Sequence, residues 1–262
     1  MPSLNEMSES PIKHVIVYGA PKTGKTELVG QLSERFNLKW FDLEKGVSTL
    51  FKLPPEQKSR IEVMQIPDTR GTPMAIETML KVIKGGPVEI CHKHGKVTCP
   101  LCNKEGLAKS RFCLGELGPE DCFVMDSVTQ LTNSAIANIT RNQPDDYKLQ
   151  RDDWGNLGKV MDTFFSYVQA APFNVVCISH EAAVQVVGAA EGTEKLVPVA
   201  GSSNFSRNVA KYFDEVIYCE VRNKKHVFAS STTYAMNKLT GGRSGFNLES
   251  QVEPRLLNIW GY

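Results

Sequence analysis

The sequence has no apolar run approaching the roughly 20 residues of a membrane span. Its first residues, "MPSLNEMSES", are polar and lack the basic-then-apolar pattern of a secretion signal. Charge of one sign is lacking as well. Thirty Lys and Arg stand against 29 Asp and Glu, a formal net charge of +1. That balance argues against the bulk basic footprint of tight, salt-driven duplex binding, while local basic patches are still allowed. Seven cysteines, an odd number without a secretion signal, argue against a disulfide framework. No internal repeat or low-complexity tract is present. These absences predict a soluble, cytoplasmic protein with no membrane partner.

What is present suits a folded α/β chain. Hydrophobic residues make up 41% of 262, enough for a sizeable core. "HVIVYG" (14–19), "KWFDLE" (39–44), "IEVMQI" (61–66), "CFVMDS" (122–127) and "FNVVCISH" (173–180) read as buried strands. Helices are expected over 24–36, 72–86 and 154–171. Trp154 opens the last of these, and its place in an amphipathic pattern predicts a core position. "FDEVIYCEV" and "HVFASSTTY" flank "RNKK" and predict a C-terminal antiparallel hairpin. Strands alternating with helices imply a mainly parallel central sheet with helices on both faces. The expected organisation is a flexible start over 1–12 and one domain over 13–262. Residues 87–120 and 181–203 stand out as an insertion and a mobile loop.

The chemistry begins at "GAPKTGKT", Gly19 to Thr26, which matches G-x-x-x-x-G-K-[ST]. The stretch Gly19, Ala20, Pro21, Lys22, Thr23, Gly24, Lys25 and Thr26 follows a strand and opens a helix, the context in which backbone N–H groups wrap phosphates. Lys25 would reach the β and γ phosphates of ATP, and the Thr26 hydroxyl would bind Mg²⁺. Asp126, at the end of another buried strand, is the candidate second Mg²⁺ group; its plainer role would be a helix N-cap. Hydrolysis also needs a base. Asp42 and Glu44 both qualify by position, and spacing alone does not choose between them.

A second chemistry lies in "CHKHGKVTCPLC". Cys91-x2-His94 and Cys99-x2-Cys102 give four soft ligands in two pairs, a pattern for tetrahedral zinc. His92 is the competing nitrogen and Cys113 a weaker substitute. No open coordination position is implied, so a small structural zinc knuckle is expected. Lys93, Lys96, Lys104, Lys109 and Arg111, opposed within the segment only by Glu105, suggest a basic knob able to touch nucleic acid or a protein. Cys122, Cys177 and Cys219 sit in apolar runs and read as buried small hydrophobes.

"GAPKTGKT", "WFDLEKG", "CFVMDSVTQL" and "FNVVCISHE", in that order, resemble the RecA-like P-loop NTPase core. The chain is most similar to the short phage-encoded RecA-like proteins, AAA-domain ATPases that act as single-strand annealing recombinases. The similarity spans roughly 14–250, apart from the cysteine-rich insertion. It implies that Glu44 is the catalytic glutamate and that His180, where longer relatives carry an amide, senses the γ phosphate. It implies that Lys238 and Arg243, in "NKLTGGRSGF", act on a neighbouring subunit's nucleotide in a ring or filament. It implies single-stranded DNA as a partner, held by the loops after Asp126 and His180, and a single-strand binding protein as a further partner. The first loop, "TRNQPDDYKLQRDDW", has Arg141, Lys148 and Arg151 among four aspartates; the second has only Lys195 as a base. Two other readings fit the motifs: a nucleotide or nucleoside kinase with a zinc-bearing lid, and an ATP-gated scaffold that docks a replication protein.

Overall fold

The computed structural model describes residues 11–69, 71–186, 188, 192–231, 237–243 and 255–262. Most of the expected flexible start, and the last residues of the expected second hairpin strand, lie outside the described residues.

The apolar runs form strands β1 (His14–Gly19), β2 (Asn37–Asp42) and β3 (Ile61–Gln65). Strands β4 (Pro87–Cys91) and β5 (Lys109–Cys113) belong to the insertion, followed by β6 (Asp121–Asp126) and β7 (Asn174–Ser179). Then come β8 (Glu181–Gln185), β9 (Glu194–Pro198), β10 (Glu215–Arg222), β11 (Lys225–Ala229) and the short β12 (Gly241–Gly242). The main sheet has the order β11-β10-β1-β7-β6-β2-β3, with β12 also on β10. All its pairings are parallel except those of β11 and β12 with β10. The mainly parallel sheet and the antiparallel hairpin are therefore as expected.

The helices are α1 (Lys25–Gly30), α2 (Pro55–Lys58), α3 (Met74–Val82), α4 (Pro100–Glu105), α5 (Val128–Ile139), α6 (Arg151–Gln169) and α7 (Ser203–Asn208). Alternation along the strands feeds two cores. Ile16, Tyr18, Phe41, Phe123 and Met125 face the layer of α3, α5 and α6. Val15, Val17, Leu38, Trp40 and Val124 face α1 and the C-terminal turn Leu256–Trp260. A strand buried on both faces has no polar side to show, which is why these segments read as unbroken apolar runs.

Several local expectations needed correction. The second strand ends at Asp42, not Glu44, so the two carboxylates do not share a strand face. The first helix tightens after Gly30 into a 3₁₀ turn over Gln31–Glu34. A Cβ on Gly30 would lie 2.6 Å from Leu50 Cδ2, so the glycine lets the Leu50 side chain pack directly on the helix backbone. Helix α5 went unrecognised. It buries Val128, Leu131, Thr132 and Ala135, a proper 3.6-residue stripe masked by Thr, Ser and Asn between them. Trp154 is 42% exposed rather than core. It stands in the first turn of α6, which a Gln150–Asp153 capping box starts. The expected mobile loop 181–203 contains an antiparallel β8–β9 pair, registered from Glu181↔Pro198 to Gln185↔Glu194.

The insertion is an antiparallel β4–β5 hairpin carrying α4. It docks by aromatic contact: Phe112 on β5 meets Phe41 on β2 edge-on, with centroids 5.0 Å apart, and Phe41 also packs on Phe123 at 5.3 Å. Phe41→Ala should destabilise the protein by about 3–5 kcal/mol, the usual cost of emptying a buried aromatic site. Urea unfolding would read it as a lowered midpoint.

Candidate functional site

The phosphate loop links β1 to α1, and its shape follows from its glycines. At Gly19 the chain passes so close to β10 that a Cβ would lie 2.0 Å from the Cys219 carbonyl oxygen. Gly24 adopts the left-handed conformation, φ +87, just before α1. The Thr23 hydroxyl donates to the Ala20 carbonyl at 2.8 Å and closes the turn. Lys25 is buried, and its ammonium donates to the carbonyls of Gly19 (2.9 Å) and Ala20 (2.7 Å). Burial lowers its proton affinity, against the opposing pull of Cys219, Asp126 and Glu44.

An open cleft of about 380 Å³ gathers loop residues Pro21–Thr26 with Glu44, Asp126, His180 and His226. A larger apolar groove of about 500 Å³ runs along the edge strand β3, away from these groups. Polar donors rather than size single out the first. Thr26 Oγ1 lies 3.4 Å from Asp126 Oδ2. Asp126 is almost fully buried, and burial first, then Glu44 and Asp42, raise its carboxyl to about 7. A hydroxyl and a buried carboxylate beside two further acids make a hard oxygen donor set that suits Mg²⁺. The peptide between Asp126 and Ser127 is cis.

Asp42 and Glu44 take separate parts. Asp42 is fully buried. Its carboxylate accepts from the N–H groups of Glu44 (3.2 Å) and Gly46 (3.0 Å) and from Gln65 Nε2 (3.1 Å). It shapes the turn that carries Glu44 into the cleft. Glu44 accepts from the Ser127 hydroxyl and meets His180 Nε2 at 3.2 Å. Burial alone would raise the Glu44 carboxyl, but the hydrogen bonds from His180 and Ser127 outweigh it and hold it below its ordinary value. His180 is positioned by its N–H on Thr129 Oγ1 (2.8 Å), and its Nδ1 is buried with no partner among the described residues.

Lys238 and Arg243 stand elsewhere. Lys238 donates to Glu220 (2.9 Å) and lies 4.4 Å from the centre of the Tyr218 ring. Arg243 donates to Asp214 at 3.1 Å, beside the start of β1 and thus at the opposite end of the sheet from the phosphate loop. Within one chain neither reaches the cleft. A residue the sequence reading missed does: His226 on β11 packs against Gly24 and places Nδ1 3.1 Å from the Thr23 carbonyl oxygen. Only the pairing of β11 beside β10 and β1 brings it there, and no local motif signals that.

The cysteine segment forms a compact cluster. One ligand atom each from Cys91, His94, Cys99 and Cys102 lies within 4.8 Å of all the others. His94 Nδ1 is 3.2 Å from Cys102 Sγ and 3.5 Å from Cys99 Sγ. His92 turns away to Ser110 (2.8 Å) and Cys113 to the Gly85 carbonyl (3.4 Å). The backbone N–H of Cys102, with neighbouring hydrogen bonds, pulls the Cys99 thiol down to about 6. Three thiols and an imidazole converging on one point fit tetrahedral zinc. The basic knob needs correction. Lys109 pairs with Glu89 across the hairpin (3.6 Å), Arg111 with Glu116 and Lys93 with Glu105 (3.7 Å), so three of its five bases have an acid beside them.

The Asp42 turn gives a direct test. Asp42→Ala leaves two backbone N–H groups without an acceptor and should cost about 2–4 kcal/mol. Asp42→Asn, which keeps an acceptor oxygen, should cost clearly less. Urea unfolding measures both, and amide hydrogen exchange at residues 43–46 should speed up only in Asp42→Ala.

No curated protein matches the chain. Among solved structures, a RadB recombinase shares 13% identity over 83% of this chain and 79% of that one, with a TM-score of 0.44. An ATPase from the type III secretion system of pathogenic bacteria shares 13% identity over 79% of this chain and 52% of that one, with a TM-score of 0.41. The model of the AAA domain family matches residues 12–245, nearly the whole sequence, and the chain belongs to that family.

Proposed function

We propose that the protein is a RecA-like ATPase that binds single-stranded DNA and promotes annealing or strand exchange in phage recombination or replication. The observation that carries the ATPase reading is the convergence on one cleft of the phosphate loop, Thr26 with Asp126, and Glu44 between Ser127 and His180. DNA as the partner is supported by the motif resemblance.

In this mechanism the loop N–H groups and Lys25 bind the triphosphate, with Lys25 giving up its two carbonyl partners for phosphate oxygens. Thr26 and Asp126 would hold Mg²⁺, which supplies charge neutralisation at the phosphates when bound. Glu44, kept ionised by its hydrogen bonds, orients the attacking water and takes its proton. His180 links that carboxylate to the β8–β9 hairpin, since its carbonyl accepts from Val199 N–H at 2.9 Å. A sensor so placed would pass the nucleotide state to a strand-binding loop. Self-assembly into a ring or filament would let Lys238 and Arg243 act on a neighbour's nucleotide, once they leave Glu220 and Asp214. A single-strand binding protein is the further partner, and the host cytoplasm the compartment. Among the described residues no helix is long and apolar enough to cross a membrane.

Phosphate release from ATP, with and without single-stranded DNA, tests the proposal. Strong stimulation is expected. Glu44→Gln should lower turnover by a factor of roughly 10²–10⁴ while ATP still binds. Unchanged turnover in Glu44→Gln would remove the glutamate from its role. Phosphate appearing on an added nucleoside would favour a kinase instead.

The Cys91, His94, Cys99 and Cys102 set is proposed to hold one structural zinc. Thiol modification should release about one zinc per chain, as expected for a four-ligand site. Cys102→Ser should lose that zinc and loosen the hairpin, read as faster proteolysis within 87–116. A wild-type chain that carries no zinc would refute this part.

A further inference from the structure

The cysteine hairpin shapes the surface beside it. Its turn is fixed to the core. Thr78 on α3 donates to the Gly95 carbonyl at 2.6 Å. Gly95 (φ +61) lies so near Ile66 that a Cβ would sit 2.7 Å from its Cγ2. Ile90 and Val97 on either side are buried in the main core. Side chains flanking this turn therefore have a defined position.

Lys93 and Lys96 from that turn and Arg141, just beyond the end of α5, line one cleft of about 420 Å³. Met74, Pro100 and Leu101 give it apolar surface, and Leu101 is 62% exposed. No acidic side chain lines it among the described residues. The hairpin's offsetting acids deal mainly with other bases, Glu89 with Lys109 and Glu116 with Arg111. Lys93 reaches Glu105 and Arg141 reaches Glu77, both as exposed pairs of little strength that a phosphate would displace. Lys96 has no acid partner among the described residues. Cations beside exposed apolar surface match a strand that offers both phosphates and unstacked bases; a duplex hides the second.

We propose that this cleft binds a single nucleic-acid strand, with phosphates on Lys93, Lys96 and Arg141 and a base against Met74, Pro100 and Leu101. The inference rests on the single-strand reading above and adds the surface that carries it. It gives the zinc hairpin a role as one wall of the strand site.

The test is the salt dependence of binding to fluorescent oligo-dT and, in parallel, oligo-U, by anisotropy with the full-length protein. Each lost phosphate contact should reduce the slope of log K against log salt by about 0.7. The double variant Lys96→Ala/Arg141→Ala should lose about 1.4 of slope and about tenfold in affinity near 150 mM salt. Lys96→Arg/Arg141→Lys should restore most of the slope and guards against misfolding. Lys52→Ala, the loss of one positive charge on the α1 side of the sheet, should leave the slope unchanged. The expected pattern on either oligonucleotide supports the cleft, and the oligonucleotide bound more tightly identifies DNA or RNA. An unchanged slope in the double variant, with wild-type binding intact, overturns the cleft and leaves the single-strand reading standing. An equal loss per charge removed in Lys52→Ala, about 0.7 of slope, also overturns it, since bulk charge would then explain binding. A wild-type protein that hydrolyses ATP but binds neither oligonucleotide overturns both.

Discussion

Asp42 and Asp126 face each other across the β2–β6 ladder at the end of the sheet that carries the phosphate loop. Both are buried. Two carboxylates at adjacent strand ends, with Glu44 close by, cannot all be ionised cheaply in a low-dielectric setting. The molecule resolves the conflict unequally. Asp42 is saturated by two backbone N–H groups and an amide. Among the described residues the Asp126 carboxylate receives only the long contact from Thr26, and its carboxyl rises to about 7. One acid is spent on structure and the other is left facing the cleft. The turn carrying Glu44 hangs from the first, and Ser127, the N-cap of helix α5, follows the second.

From that point a chain of hydrogen bonds runs away from the cleft. Ser127 donates to Glu44 and accepts from the Gln130 N–H at 3.2 Å. The Gln130 amide donates to Asp68 at 2.9 Å. Asp68 in turn accepts from the Ala75 N–H in α3 (3.0 Å) and from Ser134 (3.1 Å). Helix α3 then holds the cysteine hairpin through Thr78 and Gly95. The cleft beside the phosphate loop and the cleft beside the cysteine hairpin are thus joined by one continuous run of hydrogen bonds.

How much of this the sequence carried depends on distance along the chain. The phosphate loop is legible because its donors are contiguous and its glycines are required locally. The place of Asp126 is legible because an apolar strand read as parallel to β1 delivers its last residue to the end of the sheet that carries the phosphate loop. The Cys91–Cys102 cluster is legible for the same local reason as the loop. The division of labour between Asp42 and Glu44 is not, since burial decides it and the strand stops two residues sooner than its pattern suggests. His226 could not be read at all, because 203 residues separate it from the Thr23 carbonyl it meets. The hairpin's basic character was overread for a related reason. Glu89 and Glu116 lie outside the stretch that looks basic, yet hairpin pairing and the turn after β5 put them against Lys109 and Arg111.

The charge inventory of the cleft constrains what can enter it. Lys25 is the buried cation of the loop, and Asp126 and Glu44 act on it. A triphosphate arriving without a metal would bring several negative charges to a site that already holds more acid than base. Burial magnifies that repulsion, because little water remains to screen it. Arrival with a divalent cation reverses the sign, since the cation answers Asp126 and the phosphates answer Lys25 and the loop N–H groups. On the proposed function, the elevated proton affinity of Asp126 and the self-bonded ammonium of Lys25 are two sides of one arrangement: a bound cation would favour the carboxylate, and the phosphates would replace the carbonyls that now hold the ammonium.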